Sequence, residues 1–538
     1  MPPLAASERF MSHSPVAEDL AAHVASRRTF AIISHPDAGK TTLTEKLLLY
    51  AGAIELAGAV RGAKTRRHAV SDWMAMEQER GISLTSTALE FDLDGRHVTL
   101  LDTPGHKDFS EDTYRSLVAA DSVVMVIDAA KGIEQQTRKL YEVCRRHRLP
   151  ILTFVNKLDH PGRDPLELLD EIESVLGISA APMNWPIGRA DRFRGVYDLA
   201  DRTLLLYERH AQGSRRAPVE VTHYTDPRVR DLVDDSVYEE FLEGMDLITA
   251  AGTTFALDEY LAGRQTGVYF GSALTNFGLE PFLRGLTEIA PAPRPRQAGD
   301  TVVDPCDPDF SAFVFKIQAN MDPRHRDRVA FVRVCSGRLS KDMVVTNARG
   351  GAPVRVSRPY RMFGRDRQTA VEAYAGDIVG LVNPGRLAIG DSLYTGRAVR
   401  FPPIERFPAE HFGRLRLESQ RHKQFDDGVS QLEEEGLMQV FFTPTGARDP
   451  IVGVAGTLQF DVIVARLRSE YNVESRIEPL SYVAARWLES SAGTLRDVPS
   501  SVLMTVDRRD RPVLLFPSAW TIEYTERENP SARLAALG

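Results

Sequence analysis

The chain has 538 residues, of which 43% are hydrophobic and 26% are charged, and its formal net charge is -8. This length exceeds what one hydrophobic core supports, so we expect about three domains, and the composition excludes a disordered or fibrous protein. The negative charge argues against a protein held on nucleic acid by bulk charge, although it leaves room for local basic patches.

The cysteine content and the hydropathy pattern indicate the cellular compartment of the protein. Three widely spaced cysteines without CxxC spacing indicate neither a disulfide framework nor a zinc site. The N-terminal 30 residues lack an apolar stretch of signal-peptide length, and no run of about 18 apolar residues occurs elsewhere. We therefore expect a cytoplasmic protein without membrane contact.

The N-terminal part of the chain alternates short apolar runs with segments of helix length. The runs at 29–33, 97–101, 123–127 and 151–155 are typical of strands. Such alternation predicts a mostly parallel sheet covered by helices, which is an α/β domain. Ligands of these sheets bind at the carboxyl ends of the strands.

A phosphate-binding loop follows the run at 29–33. It comprises Ser34, His35, Pro36, Asp37, Ala38, Gly39, Lys40 and Thr41. Backbone N–H groups and the positive end of the next helix point at bound phosphates, Lys40 adds a point charge, and the Thr41 hydroxyl suits Mg²⁺. Ser34 stands where the Walker pattern has glycine. A strand-to-helix turn that merely contains Gly-Lys-Thr is the alternative interpretation.

A second motif follows the run at 97–101, and it comprises Asp102, Thr103, Pro104, Gly105 and His106. Asp102 would lie at the carboxyl end of a strand, where it suits Mg²⁺ coordination through a water molecule. Gly105 can offer its N–H to the γ-phosphate without a side chain in the way. Loss of that phosphate would then release the segment behind it, which is the behaviour of a switch.

A base-recognition motif follows the run at 151–155, and it comprises Asn156, Lys157, Leu158 and Asp159. The Asp159 carboxylate can accept hydrogen bonds from both the N1–H and the 2-amino group of guanine, and adenine offers neither donor. The mismatch is worth on the order of several kcal/mol, so the motif favours GTP over ATP.

A further loop has the place of one that contacts guanine through main-chain N–H groups, and it comprises Ser272, Ala273 and Leu274. An ordinary turn has the same composition. The order of the four motifs, each after a strand, nevertheless makes coincidence a poor explanation. We therefore expect GTP and GDP as ligands, with Mg²⁺.

The proline-rich stretch 290–296 cannot continue a helix or a central strand, so we place a domain linker there. Glycine-broken β-rich runs follow and predict a small β-barrel. Beyond residue 400, strand-like and helix-like runs predict an α+β, ferredoxin-like domain. The division is an N-terminal extension (1–23), a GTP-binding domain (24–292), a β-barrel domain (293–400) and an α+β C-terminal domain (401–538).

Over nearly the whole chain the residues resemble the translational GTPases, the superfamily of elongation factors and release factor 3. The most specific marks are Arg80-Gly81-Ile82-Ser83 and His106. The resemblance implies that the Ser83 hydroxyl ligates Mg²⁺ and that His106 positions the attacking water. Segments 27–37, 71–74, 313–323 and 458–462 resemble the release factor 3 family in particular. The last fifty residues resemble it least, and we assign them no role.

The resemblance implies a monomeric, ribosome-dependent GTPase that promotes dissociation of class I peptide chain release factors after termination. The alternatives are another translational GTPase, acting in translocation or ribosome rescue, and a guanine-nucleotide sensor that does not hydrolyse GTP. A basic run with Arg324, Arg326 and Arg328 is a candidate ribosomal RNA contact, and a solvated charged hairpin is the other interpretation.

Overall fold

The structure is a computed structural model. It describes residues 15–52, 77, 83–208, 215–219, 223–320, 328–363, 366–383, 385–444, 449–489 and 495–537. The predicted marks at 71–74 and 80–82, as well as Arg324 and Arg326, lie outside the described residues.

A sheet with mostly parallel strands forms the centre of the first domain, as predicted. Its strands are β1 (Arg27–Ser34), β2 (Thr87–Leu93), β3 (Arg96–Asp102), β4 (Ser122–Asp128), β5 (Ile151–Asn156), β6 (Ser179–Pro182) and β11 (Gln265–Phe270). The order is β2-β3-β1-β4-β5-β11-β6, with only the β2–β3 pair antiparallel among these neighbours. Strands β1, β4, β5 and β11 are buried along their whole length, which explains their unbroken apolar runs.

Helices cover both faces of this sheet, over two hydrophobic clusters. They are α2 (Lys40–Tyr50), α3 (Ser110–Ala119), α4 (Gln135–Arg146), α5 (Pro165–Leu176), α6 (Pro227–Leu232), α7 (Asp235–Ala251), α8 (Leu257–Leu261) and α9 (Leu279–Ile289), with 3₁₀ turns at Lys107–Phe109 and Ala190–Arg192. The first helix, α1 (Pro15–Ala25), packs instead against Tyr374 and Ala375 of the second domain, through Leu20 and Val24. The limits of α5 follow local rules, because Asp164 caps its start and Gly177 ends it at φ 67°. In the described part of the chain, none of the helices has the length and apolarity needed to cross a bilayer.

A small antiparallel sheet lies between β6 and β11 in the sequence, and the sequence analysis did not predict it. Its strands are β7 (Asn184–Ile187), β8 (Gly195–Asp198), β9 (Thr203–Glu208) and β10 (Arg215–Val219). They pair in the order β10-β9-β8-β7. Strands of four to six residues carry little periodic signal, so they resemble loops in the sequence.

The second domain is rich in β-strands, in agreement with the predicted barrel. The strands are β12 (Arg296–Ala298), β13 (Thr301–Val303), β14 (Ser311–Ala319), β15 (Arg328–Ser336), β16 (Arg338–Ser340), β17 (Val344–Asn347), β18 (Ala352–Arg355), β19 (Pro359–Phe363), β20 (Asp366–Thr369), β21 (Glu372–Tyr374), β22 (Ile378–Val382) and β23 (Ser392–Tyr394). A separate apolar cluster forms its core. Phe363 of β19 pairs with Leu89 of β2, which joins the two domains edge to edge.

The C-terminal domain begins with the predicted ferredoxin-like unit. Its elements are β24 (His411–Leu417), α10 (His422–Glu434), β25 (Gln439–Phe442), β26 (Ile451–Val454), α11 (Leu458–Tyr471) and β27 (Ser475–Leu480), with strand order β27-β24-β26-β25. The sheet continues from β25 through β29 (Leu503–Asp507), β30 (Pro512–Phe516), β28 (Ala484–Glu489) and β31 (Arg533–Ala535), beside α12 (Ala519–Glu528). The last fifty residues thus complete this sheet. We propose the same four-part division for the folded chain, with boundaries after residues 23, 292 and 400.

Candidate functional site

The phosphate-binding loop connects β1 to α2 and ends at Gly39. This residue has φ 95°, and a Cβ on it would lie 2.2 Å from Asn156 Nδ2. Both constraints select glycine. Because Gly39 has no side chain with which to cap α2, the first N–H groups of the helix and its dipole are left to act on a phosphate.

Contacts within the loop fix its remaining residues. Ala38 donates its N–H to His35 O at 3.3 Å, and the Ser34 hydroxyl donates to the same oxygen at 2.9 Å. Asp37 is exposed, with φ 66°. His35 Nε2 lies 3.1 Å from Glu134 Oε1. Glu134 precedes α4 and belongs to none of the four motifs, so no sequence pattern pointed to it.

Lys40 and Asp102 form a buried ion pair, with 2.7 Å between Nζ and Oδ1. The pairing of β1 with β3 places Asp102 opposite Ile32, beside the phosphate loop. The second carboxylate oxygen of Asp102 is buried and has no hydrogen-bond partner among the described residues. An acceptor of this kind fits a hydrated cation.

Mg²⁺ at phosphate sites takes few protein ligands, because it keeps several waters and binds the phosphates themselves. The hydroxyl of Thr41, in the first turn of α2, is the other donor that the chain places next to Lys40. Within the described ranges, no group of three His, Cys, Asp or Glu side chains could hold a metal ion on its own. The residues present therefore fit Mg²⁺ bound together with a nucleotide.

The second motif lies against the phosphate loop. The Thr103 hydroxyl donates to Ile32 O at 2.6 Å, and Pro104 O accepts a hydrogen bond from a threonine of α3 at 3.0 Å. A Cβ on Gly105 would lie 3.4 Å from the backbone of Pro36. The chain at Gly105 is therefore close to the loop that would hold the phosphates.

His106 starts the 3₁₀ turn that follows this motif. Its Nδ1 accepts a hydrogen bond from Asp108 N–H at 3.3 Å, and 32% of the side chain is exposed. The same Nδ1 lies 3.4 Å from Asp108 Oδ1, so this edge of the ring faces Asp108 and Nε2 is the nitrogen on the opposite edge. Ser83 is half-buried and precedes Leu84, whose N–H donates to Glu77 Oε1 at 2.9 Å.

Asn156 connects three loops through its side-chain amide. Nδ2 donates to Ala38 O at 2.8 Å, and Oδ1 accepts from Ala273 N–H at 2.8 Å. The side chain is buried. The base-recognition motif is thereby tied to the phosphate loop on one side and to the 272–274 loop on the other.

Lys157 reaches back to the phosphate loop. It has φ 69°, and its Nζ donates to Asp37 O at 2.5 Å and to Asp128 Oδ2 at 2.8 Å. Burial would raise the pKa of Asp128, but the hydrogen bonds from Lys157 and from the Ala130 N–H, together with the charges of Lys157 and Lys131, hold this pKa below the ordinary value. Sequence reasoning missed Asp128, although it ends β4 at the same sheet edge as Asp102.

Asp159 presents a buried acceptor next to these loops. Its side chain is 10% exposed, and Oδ2 lies 3.1 Å from His160 Nδ1. In the part of the chain that the structure describes, the buried Oδ1 has no hydrogen-bond partner. A buried carboxylate oxygen without a donor fits a ligand that brings N–H groups, as guanine does.

The 272–274 loop meets the base-recognition motif through the main chain. Leu158 N–H donates to Gly271 O at 3.2 Å. Ser272 and Ala273 are fully buried, whereas 46% of Leu274 is exposed. The structure thus brings all four motifs to one edge of the sheet.

The segment behind the second motif contacts the C-terminal domain, which the sequence did not indicate. Asp108 Oδ2 accepts a hydrogen bond from Leu458 N–H, at the start of α11, at 2.8 Å. Phe109 is buried in a cluster with Leu84 and Val462. We call residues 83–86 and 105–112 the switch segments, and both of them meet α11.

Polar contacts between domains surround this cluster. Arg115 Nη1 donates to Glu435 O at 2.7 Å. Lys316 Nζ, from the barrel domain, donates to Ser86 O at 2.6 Å and lies 3.1 Å from Asp112 Oδ2. Burial would raise the pKa of Asp112, but Lys316 and the Ser86 N–H together lower it. All three domains therefore contact the switch segments or the helix behind them.

Three family models match successive parts of the chain. They are "Elongation factor Tu GTP binding domain" at 25–292, "Elongation factor G domain 2" at 309–396 and "Class II release factor RF3, C-terminal domain" at 401–526. Peptide chain release factor 3 of Gloeobacter violaceus is 54% identical, over 95% of this chain and 97% of the relative. The protein of the same name from Microcystis aeruginosa is 52% identical, over 95% of each chain.

The chain belongs to the peptide chain release factor 3 family. This confirms the resemblance seen in the sequence, and it makes the chain a translational GTPase with a guanine-nucleotide-binding domain. A crystal structure of a protein from Thermus thermophilus has a similar fold, with a TM-score of 0.67 over 90% of this chain and 73% of that chain. The sequence identity is 23%, so the similarity to this protein concerns the fold alone.

The basic run that the sequence singled out in this release factor 3 family member lies only partly within the described residues. Arg328 begins β15, and its Nη1 lies 2.6 Å from Glu434 Oε2 at the end of α10. Its charge is therefore offset inside the protein, where it contributes to the contact between the barrel and C-terminal domains.

Proposed function

We propose that the chain is a ribosome-dependent GTPase that promotes dissociation and recycling of class I peptide chain release factors after translation termination. The observation that carries the proposal is the contact of α11 with both switch segments. Leu458 N–H donates to Asp108 of the segment 105–112, and Val462 packs in one cluster with Phe109 and with Leu84 of the segment 83–86. A change at the γ-phosphate would thereby reach a domain that matches the class II release factor type. We further propose that the protein acts as a monomer in the cytoplasm.

The phosphates of GTP would lie on the loop 34–41, where the N-terminus of α2 and Lys40 supply positive charge. Mg²⁺ would be held by the hydroxyls of Thr41 and Ser83 and, through water, by Asp102. When bound, the ion neutralises charge on the β- and γ-phosphates. The buried Lys40–Asp102 pair supports this arrangement because it places both groups at one point of the sheet edge.

The base would be recognised by Asp159, whose buried Oδ1 has no partner among the described residues. Guanine offers this carboxylate two N–H donors, and adenine would leave it unpaired at a cost on the order of several kcal/mol. Asn156 and Lys157 would hold the surrounding loops in place. Backbone N–H groups at 272–274 would complete the pocket.

Hydrolysis would proceed by attack of water on the γ-phosphoryl group, without a covalent intermediate. His106 would orient this water through its Nε2, because its Nδ1 faces the backbone and the carboxylate of Asp108. The ring is only partly exposed and precedes a 3₁₀ turn that contacts α11. Binding to the ribosome would fix this segment and thereby place the ring.

We also propose that the basic run contacts ribosomal RNA through Arg324 and Arg326. Changing both to Gln should weaken ribosome binding and lower its salt slope by about two units, because each phosphate contact contributes about one. Arg328→Gln is the matched control, since its charge is offset by Glu434 and the salt slope should stay nearly constant. An unchanged salt slope in the double variant would assign the run to a solvated hairpin.

The test of the proposal is GTP turnover measured with and without terminated ribosomes. We expect slow turnover of the protein alone and a large stimulation by ribosomes. Equal turnover in both conditions would favour a nucleotide sensor. Stimulation without any effect on bound class I release factors would favour a factor of translocation or ribosome rescue.

A further inference from the structure

A cavity of about 340 Å³ lies between the first domain, the interdomain linker and the barrel domain. It shares no lining residue with the four nucleotide motifs. Its apolar wall includes Leu117 of α3, Leu149, Phe313 of β14 and Phe401. The volume is within the range of small-molecule sites, about 300–1,000 Å³.

The other walls carry an excess of positive charge. The cationic lining residues are Arg146, Arg148, Arg294 and Arg296. Asp121 is the carboxylate among the described lining residues, and it is already engaged twice. Its Oδ2 pairs with the buried Arg333, and its Oδ1 lies 3.4 Å from Arg296 Nη2. Arg146 is paired outside the lining with Glu405, at 3.0 Å, so Asp121 is the lining carboxylate set against Arg148, Arg294 and Arg296.

Among the arginines that line the cavity, Arg294 has a buried N–H group without a hydrogen-bond acceptor. Its Nη1 donates to Arg148 O at 2.9 Å, but its Nε is buried and lacks an acceptor among the described residues. Burial, together with repulsion from Arg296, lowers the pKa of Arg294 despite the nearby Asp121. The unsatisfied Nε leaves Arg294 with a hydrogen-bond donor for a further acceptor.

Arg296 has a different role, because it holds the C-terminal end of α3. Its guanidinium donates to Val118 O at 2.7 Å and to Ala120 O at 3.0 Å. The same group lies over the Phe313 ring, 5.5 Å from the centroid. The cavity therefore combines a flat aromatic wall with a cationic edge that is rigidly positioned.

We propose that this cavity is a second ligand site, for a small molecule that carries one oxyanion, a phosphate or a carboxylate, on a flat apolar body. Arg294 binds the oxyanion, because guanidinium groups match the geometry of both anions and form their strongest hydrogen bonds with them. Phe313 and Phe401 contact the apolar body. Since the walls come from α3, the linker and the barrel, a bound ligand ties the first two domains together.

The binding test uses the full chain saturated with GDP and Mg²⁺, so that the phosphate loop is filled and cannot take up the probes. Calorimetric titrations with phenyl phosphate and with benzoate identify which oxyanion is preferred. We expect saturable binding of at least one of them, with phenol and inorganic phosphate at least about tenfold weaker. Absence of binding by both probes overturns the proposal, as does equal binding of inorganic phosphate.

Variants place the ligand in this cavity rather than elsewhere. Arg294→Gln should weaken binding by about tenfold or more, because it removes a charged donor. Gln297→Glu adds a negative charge at an exposed lining position and should also weaken binding, even if Arg294→Gln folds poorly. Gln297→Ala and Arg145→Gln are the matched controls and should bind like the parent. Unchanged affinity in both Arg294→Gln and Gln297→Glu contradicts the assignment.

Discussion

Asn156→Ala removes the side chain that ties the phosphate loop to the loop behind the base. Two hydrogen bonds of 2.8 Å disappear, and they leave Ala38 O and Ala273 N–H without their partner in a buried place. Each orphaned buried group costs about 1–3 kcal/mol, so the total cost is about 2–6 kcal/mol.

Part of this cost should appear in nucleotide binding, because the ligand itself must then order the three loops. We expect about 2 kcal/mol, which weakens GDP binding about 30-fold. An equilibrium titration with a fluorescent GDP analogue measures this loss, and urea unfolding measures the remainder as lost stability.

Asn347→Ala is the matched control. Asn347 is also buried and also makes two side-chain hydrogen bonds, to Asp391 Oδ2 at 2.8 Å and from Arg349 N–H at 3.0 Å, but it lies in the barrel domain. It should lower the unfolding free energy and leave GDP affinity unchanged. If Asn156→Ala binds GDP as tightly as the parent, the bridging role of Asn156 is refuted.

Three further predictions concern the recognition of guanine, the positioning of the attacking water and the stability of the fold at low pH. Asp159→Asn should weaken GTP binding and favour xanthine nucleotides in competition titrations; unchanged GTP affinity would contradict guanine recognition. His106→Ala should bind GTP nearly normally and lose about a hundredfold or more of ribosome-stimulated hydrolysis, and full stimulation would make the ring a bystander. Lys316 and the Ser86 N–H outweigh burial and lower the pKa of Asp112 below 3.8, so its ionised form stabilises the fold above that pH. The free energy of unfolding, measured with urea, should therefore be higher for the parent than for Asp112→Asn, and this difference should shrink as the pH falls below 3.8. A difference that does not change with pH would contradict the ion pair.

Much of the nucleotide-binding edge could be predicted from the sequence, because each motif directly follows an apolar strand. The strand expected at 29–33 is β1, and the strand expected at 151–155 is β5. Fully buried parallel strands leave unbroken apolar runs, and parallel strands bring their carboxyl ends to one edge. Proximity of the motifs then follows from topology alone.

The contacts between domains could not be predicted in this way. Asp108 and Leu458 are 350 positions apart, and no local sequence pattern around either residue predicts its contact with the other. Asp128 ends β4 without a surrounding motif, so its contact with Lys157 became visible only in the structure. The strands β7–β10 and β28–β31 are short, and their weak alternation does not distinguish them from loops.

The proposed function requires that GTP bound at this edge drive release of class I factors through the C-terminal domain. The most direct measurement follows a fluorescently labelled class I release factor on terminated ribosomes after addition of the parent protein or of Asp108→Ala, which removes the acceptor of Leu458 N–H. We expect rapid dissociation with the parent and GTP, and much slower dissociation with Asp108→Ala at equal GTP occupancy. Equal dissociation rates for the two proteins, or the same rate with GDP as with GTP, would contradict the proposed function.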